Sequence, residues 1–316
     1  MNVVFFGTPE FAVKCLDAIC KSQHHVAAVV TIPDKPTGRG QKMTRSAVGL
    51  YADGHQLPLL QPERLREPIF LKQLESLHAD IFVVVAFRML PQCVWDMPPL
   101  GTFNLHASLL PDYRGAAPIN WAIINGDSTT GVTTFLLNEH IDEGKILLQK
   151  STPIFATDNA GSLHDRLSDI GSQLVVKTLD DIANKNISPY NQPVGGAIRP
   201  APKLFKADCT IPWHKDGESI QNLVRGLTPY PAATFQMTDE LQVTHDFKLY
   251  ATSFEKTNHQ NAVGTILTDN KSYLKIAIND GFIHLLSLQI SGKRQNNVEE
   301  FLRGHKITNW KLVTCK

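Results

Sequence analysis

The first two-thirds of the chain alternates short apolar runs with segments whose apolar residues recur at helical spacing. Residues 3–6 form a continuous apolar run, and Thr8-Pro9-Glu10 behind it reads as a helix start, with Thr8 as N-cap and Pro9 in the first turn. Phe11, Cys15, Leu16 and Ile19 then repeat on one helical face. Residues 26–30 and 81–86 are further apolar, β-branched runs of the kind that fills a strand buried on both faces. Residues 103–106 and 132–137 are also strand-like. From 161 to about 185, Leu163, Leu167, Ile170, Leu174 and Leu179 mark the apolar stripe of a long helix. This alternation predicts an α/β fold, a Rossmann-like, mostly parallel sheet covered by helices on both faces, which receives ligands at the carboxyl ends of its strands.

The pattern changes after residue 187. Pro189, Pro193, Gly195, Gly196, Pro200 and Pro202 make 188–203 a linker. Beyond it, a helix over 219–227 interrupts short strands expected at 234–237, 241–244, 248–254, 264–268, 273–278 and 282–289. Asn279-Asp280-Gly281 reads as a hairpin turn built from residues that tolerate positive φ. So many short strands in so few residues predict a small β-barrel of the OB type. The expected division is a domain at 1–187, the linker at 188–203 and an OB-like domain at 204–316.

Composition narrows the class. With 42% hydrophobic and 19% charged residues the chain has enough apolar surface for a packed core, which argues against disorder. No apolar run reaches the roughly 20 residues of a membrane-spanning helix. The N-terminal apolar run has no basic leader and reads as a first strand rather than a signal peptide. Five scattered cysteines without a C-x-x-C pair argue against a disulfide framework or a cysteine zinc site and for a reducing cytoplasm. The net charge of +1 divides unevenly: residues 1–200 sum to −2 and residues 201–316 to +3. Lys35, Arg39, Lys42 and Arg45 share a segment without an acid, punctuated by Pro33, Pro36, Gly38 and Gly40, which is either a solvated loop or a contact for an anionic partner.

The sharpest chemical feature is Asn104-Leu105-His106. On a strand, residues i and i+2 face the same way, so an amide and an imidazole share one face at a strand's carboxyl end, an arrangement suited to an oxyanion forming at a carbonyl. A structural histidine bonded to the following loop is the ordinary reading of His106, and the paired Asn104 weakens it without reversing it. Asp142, in Ile141-Asp142-Glu143-Gly144, is either turn chemistry or a carboxylate brought beside His106, with Glu143 as its rival. No G-x-G-x-x-G, Walker loop, H-E-x-x-H or G-x-S-x-G motif occurs, so nicotinamide, metal and serine chemistry lack support.

These residues fall into a familiar set. Phe6-Gly7-Thr8-Pro9, the run from Pro33 to Gly40, Asn104-Leu105-His106-Ala107-Ser108-Leu109-Leu110-Pro111, Arg114-Gly115-Ala116-Ala117-Pro118 and Asp142-x-Gly144 resemble the methionyl-tRNA formyltransferase family. Arg199-Pro200-Ala201-Pro202-Lys203, the run from Asn222 to Leu227 and Phe301-Leu302-Arg303-Gly304 resemble its C-terminal domain, so the likeness spans nearly the whole chain. The resemblance implies formyl transfer from 10-formyltetrahydrofolate to the α-amine of initiator methionyl-tRNA, with Asn104, His106 and Asp142 as the catalytic set and no metal. It implies a folate site bordered by Ser108, Leu109, Leu110 and Pro111, together with Phe87, Leu90 and Ile141. It also implies tRNA contacts from Arg39 and Lys42, with Lys293, Arg294, Arg303 and Lys306 as candidate phosphate ligands. A cytoplasmic monomer without membrane contact is expected. Phe87-Arg88 stands where the family carries an aromatic-glycine pair. The same catalytic trio occurs in formyltransferases acting on amino-sugar nucleotides, and a relative that binds RNA without catalysis is a third reading.

Overall fold

Residues 1–37, 42–193 and 198–313 are described by a computed structural model, in which the alternating pattern becomes a layered α/β unit. Its elements, in chain order, are β1 (Asn2–Gly7), α1 (Glu10–Cys20), β2 (His25–Val30), β3 (Lys35–Thr37), β4 (Lys42–Thr44), α2 (Ala47–Gly54), β5 (Leu59–Leu60), α3 (Pro68–Ser76), β6 (Ile81–Val85), α4 (Gln92–Trp95), β7 (Thr102–His106) and β8 (Arg114–Gly115). The chain continues with α5 (Pro118–Ile124), β9 (Thr129–Leu136), β10 (Ile146–Pro153), α6 (Ala160–Ala183) and β11 (Pro200–Ala201), of which α5 beyond Pro118 and the first turn of α6 belong to the second unit. Among the described residues seven strands join in the order β10-β9-β7-β6-β1-β2-β5. β6, β1, β2, β5 and β7 run parallel, whereas β9 is antiparallel to both β7 and β10.

The apolar runs form the strands because both faces of the central sheet are covered. Every residue of β6 is buried, as are Val3, Val4, Phe5 and Phe6 of β1. Val4, Phe6 and Phe82 pack with Phe70 and Leu74 of α3 and with Leu90 and Val94 on one side of the sheet. Each such side chain contributes about 1.5–3 kcal/mol through burial. Two expectations need correction here. The residue preceding α1 is Pro9, held extended at ψ 177°, and no side chain caps the helix, so Thr8 is not its cap. β10 was not anticipated: its outer half, Gln149-Lys150-Ser151, is polar and exposed, as an edge strand permits, and carries no apolar signal.

The second unit holds β12 (Ala233–Thr238), β13 (Thr244–Lys256), β14 (Ile266–Thr268), β15 (Leu274–Ile278), β16 (Gly281–Ile290), β17 (Asn296–Asn297) and β18 (Lys311–Val313), with α7 (Gly217–Leu227) and α8 (Val298–Gly304). Its antiparallel strands, in the order β14-β15-β16-β13-β12-β18, curl into a nearly closed barrel around Trp213, Ile220, Val224, Phe235, Phe247 and Leu288. The strand expected over 241–244 is instead a turn. The Asp239 carboxylate accepts hydrogen bonds from the backbone N–H groups of Leu241 and Val243 at 2.9 Å, and Gln242 sits at φ 62°. The 279–281 hairpin is present, but neither Asn279 nor Asp280 has positive φ. Their polarity serves α7: Asp280 accepts from the Gly217 N–H at 3.1 Å and Asn279 donates to the His214 carbonyl at 2.9 Å. The two compact units comprise Met1–Pro118, Thr129–Pro153 and His164–Ala201 on one hand, and Ile119–Ser128, Ile154–Leu163 and Pro202–Lys316 on the other. Among the described residues no helix is long and apolar enough to cross a membrane.

Candidate active site

The carboxyl end of β7 lies between β6 and β9, with Val84 opposite Asn104 on one side and Thr133 opposite His106 on the other. Strand alternation buries Phe103 and Leu105 on one face and turns Asn104 and His106 to the other. Asn104 is half-buried, and among the described residues its side chain makes no hydrogen bond. Its amide is therefore an open donor and acceptor.

His106 is 7% exposed, and its Nε2 lies 2.8 Å from the Tyr113 carbonyl oxygen. A carbonyl only accepts, so Nε2 carries the proton. Nδ1 is then a lone pair in the neutral ring and a second donor in the charged one. The loop carrying Tyr113 is held from several sides. Thr133 Oγ1 donates to the Ser108 carbonyl at 2.6 Å and accepts from the Leu110 N–H at 3.2 Å. Ser108 Oγ donates to the Asp112 carbonyl at 2.6 Å, and the Tyr113 N–H donates to the Arg199 carbonyl at 2.6 Å. The structural explanation of His106 therefore holds for one nitrogen and leaves the other available.

That other nitrogen faces Asp142. Nδ1 and Asp142 Oδ2 are 3.8 Å apart, too far for a direct hydrogen bond but close enough for one polar atom to bond both at about 2.8 Å. The same oxygen accepts the Gly115 N–H at 2.9 Å. Turn chemistry and carboxylate delivery coincide here. Asp142 sits at φ 55°, and a Cβ on Gly144 would lie 1.6 Å from the Leu136 carbonyl oxygen, so only glycine fits after it. Glu143 is no rival: it is exposed, and its carboxylate accepts from Arg114 Nη1 at 2.8 Å.

The remaining candidates fall into distinct places. The Ser108 and Leu110 side chains are buried, Leu110 against Phe135 and Ile146, whereas Leu109 and Pro111 are half-buried. Leu90 is buried in the core beside half-buried Phe87, and Ile141 is exposed beside Asp142. Arg88 has a clear structural role: its Nη1 donates to the Glu63 carbonyl at 2.8 Å and its Nη2 to the Pro62 carbonyl at 2.5 Å, tying the loop after β6 to the segment before α3. Partial burial draws this guanidinium below its ordinary pKa.

Of the basic segment, Arg39 lies outside the described residues, as does the side chain of Lys42. Arg45 is an anchor: its Nε donates to Asp34 at 3.0 Å and its Nη1 pairs with Asp53, at the foot of the β3–β4 hairpin. Hydrogen bonds from Gln61 and then Arg45 hold the Asp34 carboxyl below its usual pKa. In the barrel unit Lys293, Arg294 and Lys306 are exposed, and Arg303 faces Glu299 at 3.9 Å. No group of three or more potential metal ligands occurs among the described residues. Sequence reading gave no site role to Tyr113, Arg114, Gln192 and Arg199, although Arg114 and Arg199 open runs that carry the family resemblance, because each bonds through a backbone carbonyl or another side chain.

A sequence profile described as "Formyl transferase" matches residues 1–179, and one described as "Formyl transferase, C-terminal domain" matches 203–306. A methionyl-tRNA formyltransferase of Bacteroides thetaiotaomicron is 47% identical over 312 residues, covering 98% of this chain and 97% of its own length. One from Flavobacterium johnsoniae is 49% identical over 304 residues, covering 96% of each. Among solved structures, an N-formyltransferase from Helicobacter canadensis, in complex with folinic acid and dTDP-3-aminofucose, superposes with TM-score 0.63 at 21% identity, covering 90% of this chain and 98% of that one. HypX from Aquifex aeolicus superposes with TM-score 0.64 at 16% identity, covering 97% of this chain and 48% of that one. At these identities the structures establish the shared fold.

Proposed function

The chain belongs to the methionyl-tRNA formyltransferases, and from that premise we propose that it transfers the formyl group of 10-formyltetrahydrofolate to the α-amine of initiator methionyl-tRNA. The observation that carries the chemistry is the unbonded Asn104 amide next to a histidine whose free nitrogen faces a carboxylate across 3.8 Å. The donor supplies an activated formyl carbon, whose oxygen gains negative charge as the amine adds. Asn104 offers that oxygen an N–H, and one such donor is worth about 2.7–4 kcal/mol. His106 has only Nδ1 to offer, and in its protonated form this is the second donor. Asp142 takes the proton that the attacking amine must lose and returns one to N10 of the folate as the tetrahedral species collapses and the formyl–N10 bond breaks, releasing tetrahydrofolate. The free amide of half-buried Asn104, at the carboxyl end of β7 on the face it shares with His106, fits a carbonyl-bearing ligand.

Support for an RNA acceptor comes from the names of the relatives and from charge. Lys293, Arg294 and Lys306 are exposed in the stretch 201–316, whose net charge is +3, and Lys35 and Lys42 belong to the β3–β4 pair, with Arg39 between them in the sequence. Arg45 of the same segment is already paired with two carboxylates, Asp34 and Asp53.

The deciding experiment supplies a labelled formyl donor with charged initiator tRNA or with an amino-sugar nucleotide. Label transfer to methionine is expected, and preference for the sugar would end the assignment. Arg88→Ala is expected to raise KM for the folate donor about tenfold with kcat nearly unchanged, since losing hydrogen bonds from a charged donor costs roughly 1.5–3 kcal/mol and frees the loop after β6. Steady-state kinetics with donor varied at saturating tRNA read this directly, and an unchanged KM would separate that loop from the folate site.

A further inference from the structure

Gln192 lies in the Pro- and Gly-rich segment that reads as linker, yet it is 6% exposed. All four of its amide's hydrogen-bonding positions are used. Nε2 donates to the Asp142 carbonyl at 2.7 Å and to the Gly144 carbonyl at 2.9 Å. Oε1 accepts from Arg114 Nη2 at 2.6 Å and Nε at 3.1 Å. Arg114 begins β8, and the next residue, Gly115, donates its N–H to Asp142 Oδ2. A single side chain thus grips the Asp142 turn at both ends, its carbonyls directly and its carboxylate through β8. The turn needs such a grip, because a non-glycine residue in the left-handed region persists only where its surroundings impose it.

We propose that Gln192 is a positioning residue for the transfer reaction: it holds the Asp142 carboxylate opposite His106 Nδ1, at the separation that accommodates one proton-bearing atom. This rests on the formyl-transfer reading above. Gln192 touches neither His106 nor Asn104 in any hydrogen bond, so its effect passes through Asp142. Arg199 supports the same site from the other side, since its carbonyl accepts the Tyr113 N–H and Tyr113 in turn holds His106 Nε2.

Two variants separate positioning from bulk stability. Gln192→Glu keeps an acceptor for Arg114 but turns an anionic oxygen toward two carbonyls. Gln192→Met keeps approximate shape and removes all four bonds. In single-turnover transfer each is expected to lower the rate on the order of 10²-fold, the typical cost of a misplacement near 1 Å, while both substrates' KM values stay within about twofold. In an Asp142→Asn background, adding Gln192→Glu is expected to change the rate less than about twofold, because no proton acceptor remains to be placed. Independently of turnover, the imidazole NMR resonances of His106 in Gln192→Met should move in the same direction as in Asp142→Asn. Rates near wild type in both variants, an equal loss in the Asp142→Asn background, unmoved His106 resonances, or loss of folding in both variants would each overturn the proposal. Failure of the formyl-transfer reading would show in the wild-type enzyme alone, as absence of label on methionyl-tRNA, and the His106 resonances would still test Gln192.

Discussion

His106→Ala is expected to lower single-turnover formyl transfer by about 10²–10³-fold, the range for removing one hydrogen-bond donor to a developing oxyanion. The substitution has a second consequence. His106 Nε2 is the donor to the Tyr113 carbonyl inside the protein, and a buried acceptor without its donor costs about 1–3 kcal/mol. Activity and stability therefore fall together in the alanine variant. His106→Gln separates them, since a glutamine amide reaches to about where Nε2 lies and offers a donor to Tyr113 without replacing Nδ1. It is expected to recover most of the lost unfolding free energy in urea titrations while transferring formyl as slowly as the alanine variant. A glutamine variant with wild-type rate would remove Nδ1 from the mechanism and leave His106 as a structural bond to its loop.

An effect of at least that size is expected at Asp142. Asp142→Asn should slow transfer by about 10²–10⁴-fold, with no recovery as pH is raised, because an amide accepts no proton at any working pH. The backbone should tolerate the change: asparagine is among the residues best suited to φ 55°, and its carbonyl oxygen replaces Oδ2 as acceptor for the Gly115 N–H. Glu143→Gln is the control. Its exposed carboxylate is engaged by Arg114, so its rate should stay within about threefold of wild type. If the two variants exchanged behaviour, the proton acceptor would be Glu143. Rate measurements across pH 6–9 on both, with unfolding midpoints confirming intact folds, decide the matter.

The strand periodicity is a local property, and it carries a definite part of this site. Alternation alone puts Asn104 and His106 on one face, because successive Cβ atoms in any pleated strand point oppositely. The burial pattern of β1, β2 and β6 is likewise visible as uninterrupted apolar runs, since strands covered on both faces tolerate few polar residues. Where polarity had another cause, sequence reading failed. Gln149-Lys150-Ser151 disguised an edge strand, Asp239 turned an expected strand into a capped turn, and Arg88 ties down a loop through two carbonyls. Gln192 was hidden by its neighbourhood. Proline and glycine around it signal an irregular path, and an irregular path says nothing of which side chains it buries.

Alone, the sequence determined the layered α/β unit, the following barrel, the shared face of Asn104 and His106, and the family to which the chain belongs. These follow from hydrophobic periodicity and short motifs, which act over a few residues. Only the tertiary structure decided that Asp142 rather than Glu143 faces His106, that Tyr113 commits one imidazole nitrogen, and that Arg45 is neutralised by Asp34 and Asp53. The reason is physical: β9 returns antiparallel beside β7 and carries the Asp142 turn with it, Gln192 bonds Arg114 and that turn, and β11 pairs with β8. Pairings across such separations depend on register and on backbone carbonyls, which every residue possesses and no residue type announces.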